Sequence, residues 1–420
     1  MKNNIKIIHE DLNAGGGSER LTITLMEALN EMGFNIDLET ITTPDWTQIK
    51  KWYGKFSVKI DKIKRLDLSN VIGFSEFVVK DRKEIALEEV EEEKYSLIIN
   101  AHGDILPYYN PHNHRTSKIK LITYCHYPLT PRLIHQGSYK KFLSKFLHNS
   151  SLYPKHEFHI KEKELLSRIL STYDLMMRNT IIITNSLFSK QAIEKDYGKV
   201  VLSILSPPVD IETYRNVAFS NPRRENIIIV ITRYSPDKKI EIAIKIARLL
   251  NKIYKNFKMI IIGNILPDNY EYYRYLQTLI CMWRLNETIS LQCNVPLNYV
   301  LKLMGKSKIL LHPTFEEPFG ISVAEGMSAG LIPVVPFKGG NTEFVPTQFH
   351  FTREEEAAKI IIEAMNISDE ERLKLSKFPD IFSVNNFKTN LKRIIGNMLE
   401  KELAITSPQI KNNNILNRKK

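Results

Sequence analysis

Short apolar runs recur along the chain, and the stretches between them carry apolar residues at helical spacing. Lys6–His9 reads as a strand, followed by a glycine turn and an amphipathic helix from about Ser18 to Met32. Runs at Tyr95–Ala101, Lys120–His126, Thr180–Thr184 and Val200–Leu205 continue the series. The second half repeats the alternation more clearly. It predicts strands at Asn226–Ile231, Lys258–Ile262, Thr288–Gln292, Lys308–His312 and Ile332–Pro336, with helical patterns between them. Strands that alternate with helices form parallel sheets covered on both faces, so the pattern predicts an α/β fold. In open sheets of this kind ligands bind outside the C-terminal ends of the strands. The strand-to-helix loops are therefore where chemistry should be sought.

At 420 residues the chain is too long for one core and suits two domains. Ser206-Pro207-Pro208-Val209-Asp210 and the polar Ser220-Asn221-Pro222-Arg223-Arg224 bracket a hinge. The expected division is residues 1–206, a linker at 207–224, a second domain at 225–385, a helix at 386–406 and a disordered basic tail at 407–420. The net charge of +12 implies attraction to something anionic: nucleic acid, a phosphorylated ligand or a membrane face. No RRM, HTH or OB pattern accompanies it, which argues against nucleic acid. The three cysteines form no CxxC pair and read as reduced thiols of a cytosolic protein. The N-terminus has no apolar signal region, and no run approaches the length of a bilayer span.

Three loops carry candidate chemistry. Gly15, Gly16 and Gly17 lie between the first strand and the first helix. Glycines there let backbone N–H groups approach an anion, or they make a plain turn with Ser18 as N-cap. In Ile231–Lys239 the cations Arg233 and Lys238 share one loop, which suits a diphosphate or a solvated basic turn. In Glu316–Val335, Glu317 precedes Phe319-Gly320 and Glu325 falls inside the next helix. These carboxylates are eight residues apart in different settings, so each can accept from different hydroxyls. No Asp-x-Asp occurs, which speaks against a metal-dependent donor site.

The Glu317–Glu325 spacing with Phe319-Gly320 between them, and the pair Arg233 and Lys238, resemble the signature of family 4 glycosyltransferases. Within that family NAGGGSER, His126-Tyr127-Pro128, the Arg233–Lys238 run and Ala329–Val335 are most similar to the α-1,2-mannosyltransferases of dolichol-linked oligosaccharide assembly. The resemblance implies two Rossmann-like domains facing across a cleft (GT-B), with the last helix crossing back to the N-terminal domain. It implies a retaining enzyme that takes a hexose from a nucleotide diphosphate sugar, mannose from GDP-mannose in that branch. The acceptor would be a polyprenyl or dolichyl diphosphate oligosaccharide. No cofactor and no metal are expected. Arg233 and Lys238 would hold the diphosphate, Glu325 the ribose and Glu317 the sugar hydroxyls. Backbone N–H groups at Gly16, Gly17, Phe319 and Gly320 would complete the donor site, and His126 would stand beside the anomeric centre. Such an acceptor places the protein on the cytoplasmic face of a membrane, held peripherally. Tyr139–Leu147 offers a basic amphipathic helix for that contact, with Lys140, Lys141 and Lys145 opposite Phe142 and Phe146. The same helix could equally dock on the N-terminal core.

Overall fold

The computed structural model describes residues 3–65, 95–104, 120–129, 177, 180–219 and 224–406. The first sheet runs β3-β2-β1-β4-β5-β6-β7. Its strands are β1 (Asn4–Ile8), β2 (Asn35–Thr40), β3 (Lys62–Arg65), β4 (Leu97–Asn100), β5 (Lys120–Cys125), β6 (Ile181–Thr184) and β7 (Ser203–Ile204). The second runs β10-β9-β8-β11-β12-β13. Its strands are β8 (Ile227–Ile231), β9 (Lys258–Gly263), β10 (Ile289–Cys293), β11 (Ile309–Leu311), β12 (Ile332–Pro336) and β13 (His350–Phe351). Every pairing between these strands is parallel. Both sheets therefore reverse their order beside the first strand, at β1/β4 and at β8/β11. A parallel sheet of this order opens a crevice at that reversal.

The elements follow from their residues. Ile5, Ile7 and Ile8 of β1 and Ile228, Ile229 and Val230 of β8 are fully buried, as continuous aliphatic strands of a doubly covered sheet should be. Helix Ile240–Ile253 buries Ile240, Ala243, Ile244, Ala247 and Leu250, one stripe at helical spacing. Helix Leu187–Tyr197 starts on the Ser186 hydroxyl, which accepts from the Ser189 N–H, and ends at Gly198 in the left-handed region.

Several expectations shift. Strand β2 and the edge strands β3 and β13 escape the apolar pattern, because Asn35-Ile-Asp-Leu-Glu-Thr and Lys62-Ile-Lys-Arg are mostly polar and β13 has two residues. The run Val200–Leu205 pairs only over Ser203–Ile204, and Val200 and Leu202 stay exposed. The linker at 207–224 is not a loop throughout. Ile211–Phe219 is a helix whose Ile211 and Tyr214 enter the second core.

The last helix, Val384–Thr406, returns to the first domain. Phe387, Leu391, Ile394 and Ile395 join the core formed by β1, β4 and helix Gly17–Glu31. Lys388 and Lys392 reach Glu31 at 2.8 and 2.6 Å on the outer side. The crossing is an integral part of the first core rather than an appendage. Leu391→Ala should thus destabilise the N-terminal domain by about 2–5 kcal/mol, the usual range for a buried leucine. A urea titration followed by N-domain probes would show it, and a loss within experimental error would mean that the helix is merely appended.

Candidate functional site

The loops that leave β8 and β11 meet at the second reversal. After β8 the chain passes Arg233, forms a short 3-10 turn at Pro236–Lys238, and enters the next helix through Lys239 at φ 51°. After β11 it passes His312, takes a left-handed residue at Glu316 (φ 58°), and opens helix Ile321–Ser328 at Gly320 (φ 92°). Glycine carries the second of these at no steric cost. Two left-handed residues within one short loop project Glu317 back toward β8.

There Lys238 Nζ donates to Glu317 Oε2 at 2.9 Å, and His312 Nε2 lies 3.4 Å from the same oxygen. Burial disfavours the Glu317 charge, yet Lys238 and His312 outweigh it and hold the carboxyl well below the usual carboxylate range. Glu317 is thus an anion whose neighbours are already cationic or polar. The loop after β12 supports it from behind. Gly340 N–H donates to the Glu317 carbonyl at 2.7 Å and Glu316 N–H to the Lys338 carbonyl at 2.9 Å. A Cβ at Gly340 would stand 2.0 Å from the Pro318 carbonyl oxygen, so only glycine permits this approach. Arg233 is exposed and makes no ion pair with the described residues. The structure thus pairs Lys238 with Glu317, a contact the sequence reading did not foresee, and leaves Arg233 without an ion pair among the described residues.

Phe319 contributes its backbone only, since its ring packs on Phe344 and Phe382 at centroid distances of 5.3 and 4.9 Å. The first domain supplies the opposite wall. Gly17 faces the N-terminus of helix Ile321–Ser328 so closely that a Cβ there would lie 2.5 Å from Ile321 Cδ1. One expectation changes here. The Gly16 N–H already donates to Glu19 Oε2 at 2.6 Å, so it is not available to a ligand. The helix N-cap is Gly16 rather than Ser18, because Glu19 reaches back in the manner of a capping box. The Glu325 carboxylate, expected to face a ligand, is bonded by Arg20 Nη1 across the cleft at 2.6 Å.

His126 lies just after β5. Its Nε2 contacts the Ala101 carbonyl oxygen at 3.1 Å, and its own carbonyl accepts from Asn185 and Ser189. Around it stand His9 and His102, whose rings meet edge-on at 4.9 Å. Sequence reasoning missed Arg20, Tyr214, His312 and Glu343. The last of these caps helix Leu187–Tyr197 from the other domain, accepting from Leu187 and Phe188 N–H at 3.0 and 2.8 Å. Arg20 lies in NAGGGSER and His312 directly follows a strand, whereas Tyr214 inside a helix and Glu343 at the end of a 3-10 turn carry no local signal. Lys140, Lys141, Lys145, Phe142 and Phe146 lie outside the described residues. Among the described residues no helix is long and apolar enough to cross a membrane, and no group of three or more His, Cys, Asp or Glu could hold a metal ion.

Residues 212–378 match the family Glycosyl transferases group 1. A curated relative in Neurospora crassa, GDP-Man:Man(3)GlcNAc(2)-PP-Dol alpha-1,2-mannosyltransferase, is 24% identical over 236 residues, 48% of this chain and 42% of the relative. The chain thus matches less than half the length of that relative. Among solved structures, Anabaena Alr3699/HepE in complex with UDP and glucose superposes with a TM-score of 0.66 at 17% identity, covering 95% of this chain and 99% of the other. A glycosyltransferase from Rickettsia africae gives 0.64 at 16% identity, covering 96% and 99%. The fold is that of the GT-B glycosyltransferases, two Rossmann-like domains.

Burial pushes the His126 imidazole down to about 4, against the Ala101 carbonyl, which favours its charge. Its unfolded value is about 6.5, so the unfolded chain binds the extra proton first and stability falls as pH drops from about 6.5 to about 4. His126→Asn should remove part of that slope in urea midpoints, and the wild-type ring should titrate near 4 by NMR. A midpoint near 6.5 would show the ring to be solvated.

Proposed function

We propose that this chain, with its group 1 domain set in a GT-B frame, is a retaining hexosyltransferase. It moves mannose from GDP-mannose to a lipid-linked oligosaccharide at the cytoplasmic face of a membrane. The observation that carries the reading is the Lys238–Glu317 pair beside the uncommitted Arg233, at the crevice of the group 1 domain. The name of the Neurospora crassa relative supports the donor and the acceptor.

The chemistry follows from the leaving group. The bond between the anomeric carbon and the donor phosphate breaks, and the nucleoside diphosphate departs with additional negative charge. Arg233 and Lys238 meet that charge, and preorganised donors of this kind lower the barrier. The acceptor hydroxyl attacks on the same face, and its proton passes to the departing phosphate oxygen. No protein nucleophile is needed. Glu317 accepts from the sugar hydroxyls, with Lys238 keeping it ionised, and Glu325 accepts from the ribose. His126 stands neutral beside the anomeric centre. Arginine and lysine here take the charge that a divalent ion carries elsewhere, so the reaction runs without metal. Support comes from the absence of Asp-x-Asp in the sequence.

A thermal-shift panel of GDP-mannose, UDP-glucose, UDP-N-acetylglucosamine and ADP-glucose tests the donor. GDP-mannose should give the largest shift and should support transfer to a polyprenyl diphosphate oligosaccharide in excess EDTA. A larger shift with a UDP- or ADP-sugar would point to another acceptor pathway, and loss of transfer on chelation, restored by manganese, would overturn metal independence.

The two glutamates should fail differently. Glu325→Gln should weaken the bare nucleoside diphosphate about ten- to a hundredfold, the worth of a charge-assisted hydrogen bond. Glu317→Gln should leave that affinity nearly unchanged and lower turnover, because its partner is the transferred sugar. Calorimetry on both variants with both ligands decides it, and equal weakening of the bare diphosphate would refute the division.

A further inference from the structure

Arg20 sits on the first turns of helix Gly17–Glu31, directly after the glycine loop. Its Nη1 reaches Glu325 Oε1 in the other domain at 2.6 Å, and the two side chains are only 13% and 12% exposed. The guanidinium also lies 5.9 Å from the centroid of the Tyr53 ring, whose hydroxyl donates to the Gly16 carbonyl at 2.7 Å. Tyr214 and the charge of Asp210 stand close to the same pair. Three separate stretches of chain thus converge on one carboxylate: the glycine-loop helix, the helix after the first domain crossing and helix Ile321–Ser328.

A nearly buried ion pair is a poor stabilising device, because desolvation offsets most of the attraction. What such a pair does well is fix an orientation. A planar guanidinium sets the rotation of a carboxylate in a way that a lysine cannot. An ionised carboxylate has roughly four acceptor positions. Arg20 uses one of them, on Oε1, which leaves acceptor positions on the same carboxylate for a diol.

We propose that Arg20 is a donor-positioning residue, holding Glu325 from across the cleft in the orientation that receives a nucleoside's two ribose hydroxyls. The claim rests on the reading above, in which Glu325 takes the ribose. It goes further by making nucleoside recognition a property of both domains. The C-terminal domain supplies the carboxylate and the N-terminal domain supplies its orientation. Inorganic pyrophosphate, which has no ribose, lies outside this coupling and depends on Arg233 and Lys238 alone.

Calorimetry on the full chain tests it, with GDP, UDP, ADP and inorganic pyrophosphate as probes. Arg20→Gln should weaken the best-bound nucleoside diphosphate by about tenfold or more, as expected for loss of a charged hydrogen-bond partner. Pyrophosphate affinity should stay within about twofold, since no contact to it is lost. Arg20→Lys should lose less than Arg20→Gln and show the same selectivity, and it carries the test if the glutamine variant does not fold. In a Glu325→Gln background the Arg20 change should add little, because both act through one contact. Equal losses for pyrophosphate and nucleoside diphosphate, no loss for either, or additive losses would overturn the proposal and leave Arg20 a staple between domains. If the wild type binds pyrophosphate but no nucleoside diphosphate, the donor reading itself falls, and this proposal with it.

Discussion

The chain passes between its two sheets twice, and the two passages are tied to each other. Val209 N–H donates to the Phe382 carbonyl at 2.8 Å, and Val209 and Ser383 form a parallel bridge. The first passage follows Pro207 and Pro208, which cannot donate to any ladder, and the second follows the short 3-10 turn Phe378–Phe382. A single tether would let the sheets swing about every axis. A paired one restricts them to a narrow set of rotations about the bridge. The placement of Gly17 against Ile321, of Glu343 on helix Leu187–Tyr197 and of Arg20 on Glu325 all depends on that restriction. Because Val384–Thr406 continues from the second passage straight into the first core, its packing holds the bridge in place.

Within the cleft, each carboxylate is brought out of water only where a cation or a donor meets it. Glu317 has Lys238, Glu325 has Arg20, and Glu19 has the Gly16 N–H and the Ser18 hydroxyl. An unpaired buried charge costs several kcal/mol, so these partners are conditions for the fold as much as parts of a site. They differ in what they leave open. Glu19 is used up by its own loop. Lys238 and Glu317 face each other, so polar ligand groups can replace one partner with another at little electrostatic cost. Arg233, exposed and unpaired among the described residues, is the position where an incoming anion has least to displace.

Much of this was legible in the chain, and unevenly so. The central strands were readable because β1, β8 and β9 are near-continuous runs of aliphatic residues. The edges were not, since an edge strand such as Lys62–Arg65 is polar on purpose and looks like a loop. Arg233, Lys238, Glu317 and Glu325 were readable from spacing within single loops. Arg20 was not, because its partner is 305 residues away and no local pattern encodes such a contact. Gly340 was invisible for a related reason. Its necessity comes from the Pro318 carbonyl that passes 2.0 Å from where a side chain would begin. The Gly16 N–H was misjudged because a glycine loop offers N–H groups to a ligand and to its own helix alike, and here Glu19 takes one first.

The two domains share a topology and differ in the chemistry at their strand ends, and the difference bears on how the proposed reaction is divided. The end of β8 and the loop after β11 present Arg233, Lys238 and Glu317, the groups that the proposed reading gives to a diphosphate and to sugar hydroxyls. The ends of β1, β4 and β5 present His9, His102 and His126. Burial holds His9 and His126 below the ordinary imidazole value, so both are neutral at physiological pH. A neutral imidazole both donates and accepts one hydrogen bond, which suits an uncharged hydroxyl and offers nothing particular to a phosphate. In the proposed reaction such neutral imidazoles add no positive charge opposite Arg233 and Lys238, where the departing phosphate would gain negative charge.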